Sequence, residues 1–138
     1  MASIKGKNTK PEIIVRKAFH AAGFRFRLHD RKLPGKPDIV LPKYRTVVFV
    51  HGCFWHGHEC EKFRWPKSRK TFWRKKIEGN RERDDKAMKQ LRIEGWRTLT
   101  VWECALKGPI RLTLATLTTR CATWLMSGKS RGTLRGKT

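Results

Sequence analysis

A chain of 138 residues has the length of one ordinary domain, which excludes a second full one, and its 38% hydrophobic share fills a single modest core. Thirty-three Lys and Arg stand against eleven Asp and Glu, a formal +22. Such a surface repels itself when compact and points to a polyanion, nucleic acid, as partner, while the lack of any apolar run of about twenty residues excludes a bilayer span.

The first ten residues, MASIKGKNTK, lack the apolar middle of a secretory signal, so a cytoplasmic protein is expected. Residues 9–22 read as an amphipathic helix with Ile14, Val15, Ala18, Phe19 and Ala22 on one stripe. Thr9 and Glu12 have capping-box spacing, Pro11 suits the first turn and Gly23 the stop. FRFRLH (24–29) alternates like a strand, and a turn-rich connector runs from Asp30 to Pro37. DIVL (38–41) and TVVFV (46–50) read as two strands of a hairpin joined through Pro42–Arg45.

Residues 51–68 carry no clear period but hold most of the His and Cys. Trp55, Phe63, Trp65, Phe72 and Trp73 are interleaved with Lys and Arg, a pattern suited to rings that stack on bases while cations hold the backbone. Residues 70–94 read as helical with a break near Gly79, 98–102 as a strand, and 110–126 as a last helix with Ile110, Leu114, Leu117, Cys121 and Trp124 or Leu125 facing inward. The expected organisation is one domain over 1–126 and a basic, disordered tail over 127–138. Helices and strands in this order predict an α/β or α+β arrangement around one sheet.

Four cysteines in a chain expected to be cytoplasmic argue for metal or core roles rather than disulfides. Cys53, His58 and Cys60 lie within eight residues and can form three corners of a zinc tetrahedron; His56 fits the spacing as well as His58 does. Cys104, at the end of the strand TLTVW, is the candidate for the fourth corner, and Cys121 reads as an inert core thiol. A closed site of this kind is structural, and metal binding supplies folding free energy to a loop with few aliphatic residues.

LPGKPD (33–38), FVHGCFWHGHEC (49–60), NRERD (80–84) and WEC (102–104) resemble, in order, the motifs of the very short patch repair (Vsr) mismatch endonucleases. The resemblance spans Thr9 to about Gly108. It implies a restriction-endonuclease-like α/β fold, with a central mixed sheet flanked by helices and a structural zinc site. It also implies Mg2+-dependent nicking of the thymine strand at T:G mismatches in double-stranded DNA, as arise from deaminated 5-methylcytosine. A functional link to a DNA cytosine methyltransferase follows, as does possible contact with mismatch-repair proteins and association with the nucleoid.

Carried over by position, Asp38 is similar to the family's metal-binding carboxylate, with His51 and His56 as active-site histidines. Asp84 matches an acid that positions His56, and Glu12 a helix-borne carboxylate near the metal water. Cys53, His58, Cys60 and Cys104 match the zinc ligands, and Phe54, Trp55 and Trp73 the rings inserted beside the mismatch. Val50 stands where a well-studied member has threonine, so its main-chain carbonyl is the expected Mg2+ contact. The arm before the first helix is short for a minor-groove clamp. Two rival readings share the charge and the cysteines: a non-catalytic zinc-dependent nucleic-acid-binding module and a sequence-specific restriction-like nuclease.

Overall fold

The structure is a computed structural model that describes residues 9–60 and 64–137. Phe63 and the N-terminal arm, both singled out from the sequence, lie outside the described residues. Helix α1 runs Lys10–Ala21, strand β1 Arg27–Leu28, β2 Ile39–Leu41, β3 Thr46–His51, α2 Lys70–Ile93, β4 Arg97–Trp102, α3 Leu114–Met126 and β5 Arg131–Leu134. The five strands form one mixed sheet in the order β1-β2-β3-β4-β5. The first three pair antiparallel, while β3 with β4 and β4 with β5 are parallel. This is an α/β architecture. No helix among the described residues is long and apolar enough to cross a membrane.

Period-two alternation divides the sheet into two buried faces. Ile39, Leu41, Val48, Leu99 and Val101 pack with Val15, Ala18 and Phe19 of α1 and Leu117, Cys121 and Leu125 of α3. Val40, Val47 and Phe49 face the other way, against Leu91 of α2. The strand β3, central in the sheet and covered on both faces, is correspondingly a nearly unbroken apolar run. Cys121 is the expected core thiol, and burial pushes it up to about 12.

Local chemistry sets the helix ends. Thr9 caps α1 by accepting from the Glu12 amide at 3.4 Å. At its other end Gly23, in the left-handed region at φ +86°, lets the Phe24 amide reach back to the Phe19 carbonyl and the Gly23 amide to His20. The Phe19 and Phe24 rings then meet edge to face at 6.4 Å, the apolar contact that accompanies this stop. Gly95 ends α2 by the same device, with the Trp96 amide on the Leu91 carbonyl.

Four expectations are corrected. Strand pairing within 24–29 is limited to Arg27 and Leu28, because His29 turns into the left-handed region at φ +49° and the chain leaves the sheet edge. The helix α2 is unbroken through Gly79, whose backbone keeps helical hydrogen bonding. The last helix begins at Leu114 rather than 110, where Thr113 caps it through the Thr116 amide at 3.1 Å, and Leu114 is exposed. Residues 131–134, expected in a disordered tail, are the edge strand β5. Leu134 is buried there, and Gly132 admits the Trp124 indole so closely that a Cβ would stand 2.1 Å from Nε1. The Arg97 guanidinium braces the approach to β5 through the carbonyls of Trp124, Leu125 and Lys129.

Candidate active site and metal centre

The junction of β2 and β3 brings the chemistry together. Asp38 immediately precedes β2, and its Oδ2 accepts from the Val50 amide on β3 at 2.7 Å. Asp38 is therefore fixed beside the start of the 51–60 loop. Burial pushes its carboxyl up to about 6, against the lowering effect of the Val50 amide, and the nearby Glu12 carboxylate raises it further. A cleft of about 370 Å³ is lined by Glu12, Asp38, Val50, His51, Trp55 and Glu103, among others.

Glu12 completes only half of a capping box. Its amide uses Thr9, but its carboxylate turns inward, where Oε2 meets His29 Nε2 at 2.9 Å and Arg16 at 3.2 Å. Ligand atoms of Glu12, His29 and Asp38 all lie within 4.8 Å of one another. The motifs did not single out His29; as the last residue of the alternating FRFRLH segment it read as a strand position.

On the other side of β3 the two imidazoles of His51 and His56 stack face to face, 3.9 Å between centroids and 4° from parallel. His56 Nδ1 meets Asp84 Oδ2 at 2.5 Å, and Asp84 Oδ1 stands 4.0 Å from His51 Nε2. One carboxylate on α2 thus orients the His56 ring, against which His51 stacks. His51 is buried, which holds its pKa down to about 3, with His56 lowering it and Asp84 opposing. It is neutral at physiological pH.

The thiols form a separate cluster. Ligand atoms of Cys53, His58, Cys60 and Cys104 lie within 4.8 Å of one another, with His58 Nδ1 at 3.6 Å from the Cys53 sulfur and 3.8 Å from that of Cys104. The spacing left His56 and His58 equivalent; the fold puts His58 beside the sulfurs and gives His56 to Asp84. His58 stacks on Trp102 at 4.0 Å, and burial lowers it to about 4, so it presents a neutral nitrogen. Burial raises the Cys53 thiol above its ordinary range. The Cys104 amide donates to the Cys53 sulfur and the Gly136 amide to the Cys104 sulfur, both at 3.3 Å. Amides aimed at sulfur favour thiolate, and three sulfurs with one imidazole suit the tetrahedral preference of zinc.

Helix α2 also holds the intervening loop. Asn80 donates to the Trp55 carbonyl at 2.7 Å, and Arg81 donates to the carbonyls of His56 and Gly57. Both lie in the NRERD string (80–84), but a polar helical face reads as solvated, so the sequence assigns neither a role. Phe54, Trp55 and Trp73 form one ring cluster, with centroid separations of 5.4 Å from Phe54 to each tryptophan and 5.8 Å between the tryptophans. Trp55 is 39% exposed and Phe72 45%, while guanidinium groups lie over the Phe72 and Trp65 rings. Exposed rings flanked by cations can contact bases and phosphates together.

Comparison with known proteins shows the family. A family model described as DNA mismatch endonuclease Vsr matches residues 1–62. The chain is 54% identical over 106 residues to the Type II nicking enzyme V.XorIIP of Xanthomonas oryzae pv. oryzae, covering 77% of this chain and 78% of that protein. It is 53% identical over 107 residues to the Type II nicking enzyme V.NmeAIP of Neisseria meningitidis, covering 78% and 76%. With the DNA mismatch endonuclease Vsr of Escherichia coli it shares 44% identity over 125 residues, 91% of this chain and 80% of that one.

Proposed function

The chain belongs to the Vsr family of DNA mismatch endonucleases, and from that premise we propose that it nicks the thymine-bearing strand of double-stranded DNA at T:G mismatches. Its homologues are named as DNA endonucleases and nicking enzymes, which makes this chain a DNA endonuclease. The observation that carries this reading is one cleft lined by both Asp38, anchored to Val50 at 2.7 Å, and His51, whose ring stacks on His56 beside Asp84.

The residues fit two cations of different character. Glu12 and Asp38 bring two carboxylates into one cleft, where burial already penalises the Asp38 charge, so a hard divalent ion is a favourable occupant. Asp38 and the Val50 carbonyl would hold Mg2+, with Glu12 close by. Bound there, Mg2+ would supply Lewis-acid stabilisation of the scissile phosphate and lower the pKa of a coordinated water. Cys53, His58, Cys60 and Cys104 would hold a structural Zn2+ that orders the loop.

Protein groups supply the proton handling. The Asp84 contact occupies His56 Nδ1 and leaves Nε2 as the nitrogen through which a proton is exchanged with the attacking water or leaving oxygen. His51, neutral and buried, fixes the plane of the His56 ring by stacking and lines the same cleft as Asp38. Phe54, Trp55 and Trp73 would enter the stack beside the mismatch. A wobble pair is stacked and paired less well than a matched one, so insertion costs less there, and selectivity follows from that difference.

Incubation with Mg2+ on plasmid, matched and T:G-mismatched duplexes tests the reading. One-strand cuts at the mismatch are expected. Absence of cleavage would favour the binding module, and double-strand cuts in matched DNA the restriction-like nuclease. Asp38→Ala should abolish nicking while DNA affinity stays within a few fold; lost binding would instead mark Asp38 as structural.

A further inference from the structure

We propose that His29 is a positioning residue that holds the Glu12 carboxylate against Asp38 and so completes the cation-binding side of the cleft. The inference rests on the reading that Asp38 holds a divalent ion, and it adds a residue that no motif marked.

Glu12 and Asp38 belong to different elements, α1 and the turn before β2, so a residue that touches both holds their separation more tightly than the packing of α1 on the sheet does alone. His29 does so with two groups. Its backbone amide donates to the Asp38 carbonyl at 3.1 Å, and its Nε2 lies 2.9 Å from Glu12 Oε2. Arg16, one turn further along α1, reaches the same carboxylate oxygen at 3.2 Å and lies 3.4 Å from His29 Nε2. Within this trio His29 is the residue whose backbone is bonded to Asp38, so it ties the Glu12 carboxylate to the turn before β2.

The backbone supports the assignment. His29 sits at φ +49°, a left-handed conformation that a side-chain-bearing residue adopts at a cost, and such outliers cluster where a site needs them. Here the conformation ends β1 and turns the imidazole inward while its amide stays on Asp38.

Chemistry selects positioning over ligation. A carboxylate only accepts, so the proton of the 2.9 Å contact resides on Nε2, and a nitrogen donating that proton has no lone pair for a cation. Magnesium in any case prefers oxygen donors. Like charge drives Glu12 and Asp38 apart, and the Nε2 proton opposes that separation. Partners that orient a metal-binding carboxylate typically change metal affinity or activity by about 10–100-fold when lost.

Two substitutions separate the hydrogen bond from the backbone. His29→Asn tolerates the left-handed conformation but its amide is too short to reach Glu12. His29→Gln restores the reach and the donor. Binding of Mn2+, an EPR-visible substitute for Mg2+, is measured on the full-length zinc-loaded protein, with thermal unfolding as a check on folding. His29→Asn should weaken Mn2+ binding about tenfold or more, and raise the half-saturating Mg2+ for nicking more than it lowers the rate at saturating metal. His29→Gln should recover most of both.

Wild-type Mn2+ affinity in His29→Asn would overturn the proposal, as would a His29→Gln variant as weak as His29→Asn. Asp38→Ala distinguishes the two levels. If it too binds Mn2+ like wild type, the metal reading of the cleft falls and the role of His29 with it. If it loses Mn2+ while His29→Asn does not, only the role of His29 falls.

Discussion

Asp38 carries opposing demands. A divalent cation needs it ionised, yet burial raises its carboxyl from 3.8 to about 6, so the native state binds the proton more tightly than the unfolded chain does. The sign follows directly: without added magnesium, folded-state stability falls as pH rises through that window, and the loss is complete above the folded value. That rise corresponds to no more than about 3 kcal/mol. Asp38→Asn should therefore raise the Tm of the magnesium-free protein at neutral pH, with the gain shrinking toward zero below the ordinary carboxyl value. A Tm gain that does not change with pH would mean that the buried charge is not its source. The same substitution should remove nicking, which makes Asp38 a place where function and stability oppose each other. His51 differs: with its pKa near 3 it titrates well below the working range, so changes in rate near neutral pH must come from other groups.

Among the elements, α2 and the C-terminal segment make the loop 51–60 into a site. Helix α2 supplies Asp84 to the imidazoles and Asn80 and Arg81 to the loop carbonyls from one face. It does so despite Gly79 in its interior. A Cβ at Gly79 would meet only the end of the Arg83 side chain at 3.5 Å, an ordinary contact. Gly79→Ala should thus stabilise the protein by about 0.5–1 kcal/mol, read as a Tm rise of roughly 2–4 °C; a lower Tm would indicate that the helix needs the glycine.

The segment after β5 closes the thiol cluster. The Arg135 guanidinium donates to the Glu59 carbonyl at 3.0 Å, the Gly136 amide to the Cys104 sulfur, and the Lys137 amide to the Ile110 carbonyl at 2.7 Å. A Cβ on Gly136 would stand 2.6 Å from the backbone oxygens of both Cys104 and Ile110, which cannot move aside cheaply. Cys104→Ser should lower the zinc content of the purified protein, and Gly136→Ala should speed zinc loss to a chelator while leaving all four candidate ligands in place. Normal zinc content in Cys104→Ser would remove Cys104 from the ligand set.

For the whole molecule, charge dominates. The formal +22 and the exposed rings near Arg69 and Arg74 suit an extended phosphate backbone. If about six to ten phosphates are neutralised, affinity for duplex DNA should fall by roughly 10³–10⁵ between low and moderate salt. The slope of log affinity against log salt in a fluorescence titration gives the number directly, and a shallow slope would mean that most of the positive charge serves solubility.

The sequence by itself determined what is local or compositional: the polyanion partner, the apolar period of β2, β3 and β4, the caps of α1, and the order of motifs that marks the family. The division of labour among the side chains was decided by tertiary structure, because it rests on hydrogen bonds between residues far apart in the chain. His56 and Asp84 are separated by 28 positions, the Cys104 amide and Cys53 sulfur by 51, and the Gly136 amide and Cys104 sulfur by 32. No local period encodes such pairings. For that reason spacing alone left His56 and His58 interchangeable and Glu12 a cap, which only the family resemblance told apart, while His29 went unmarked and a basic tail read as disorder until the open edge of β4 gave it a partner.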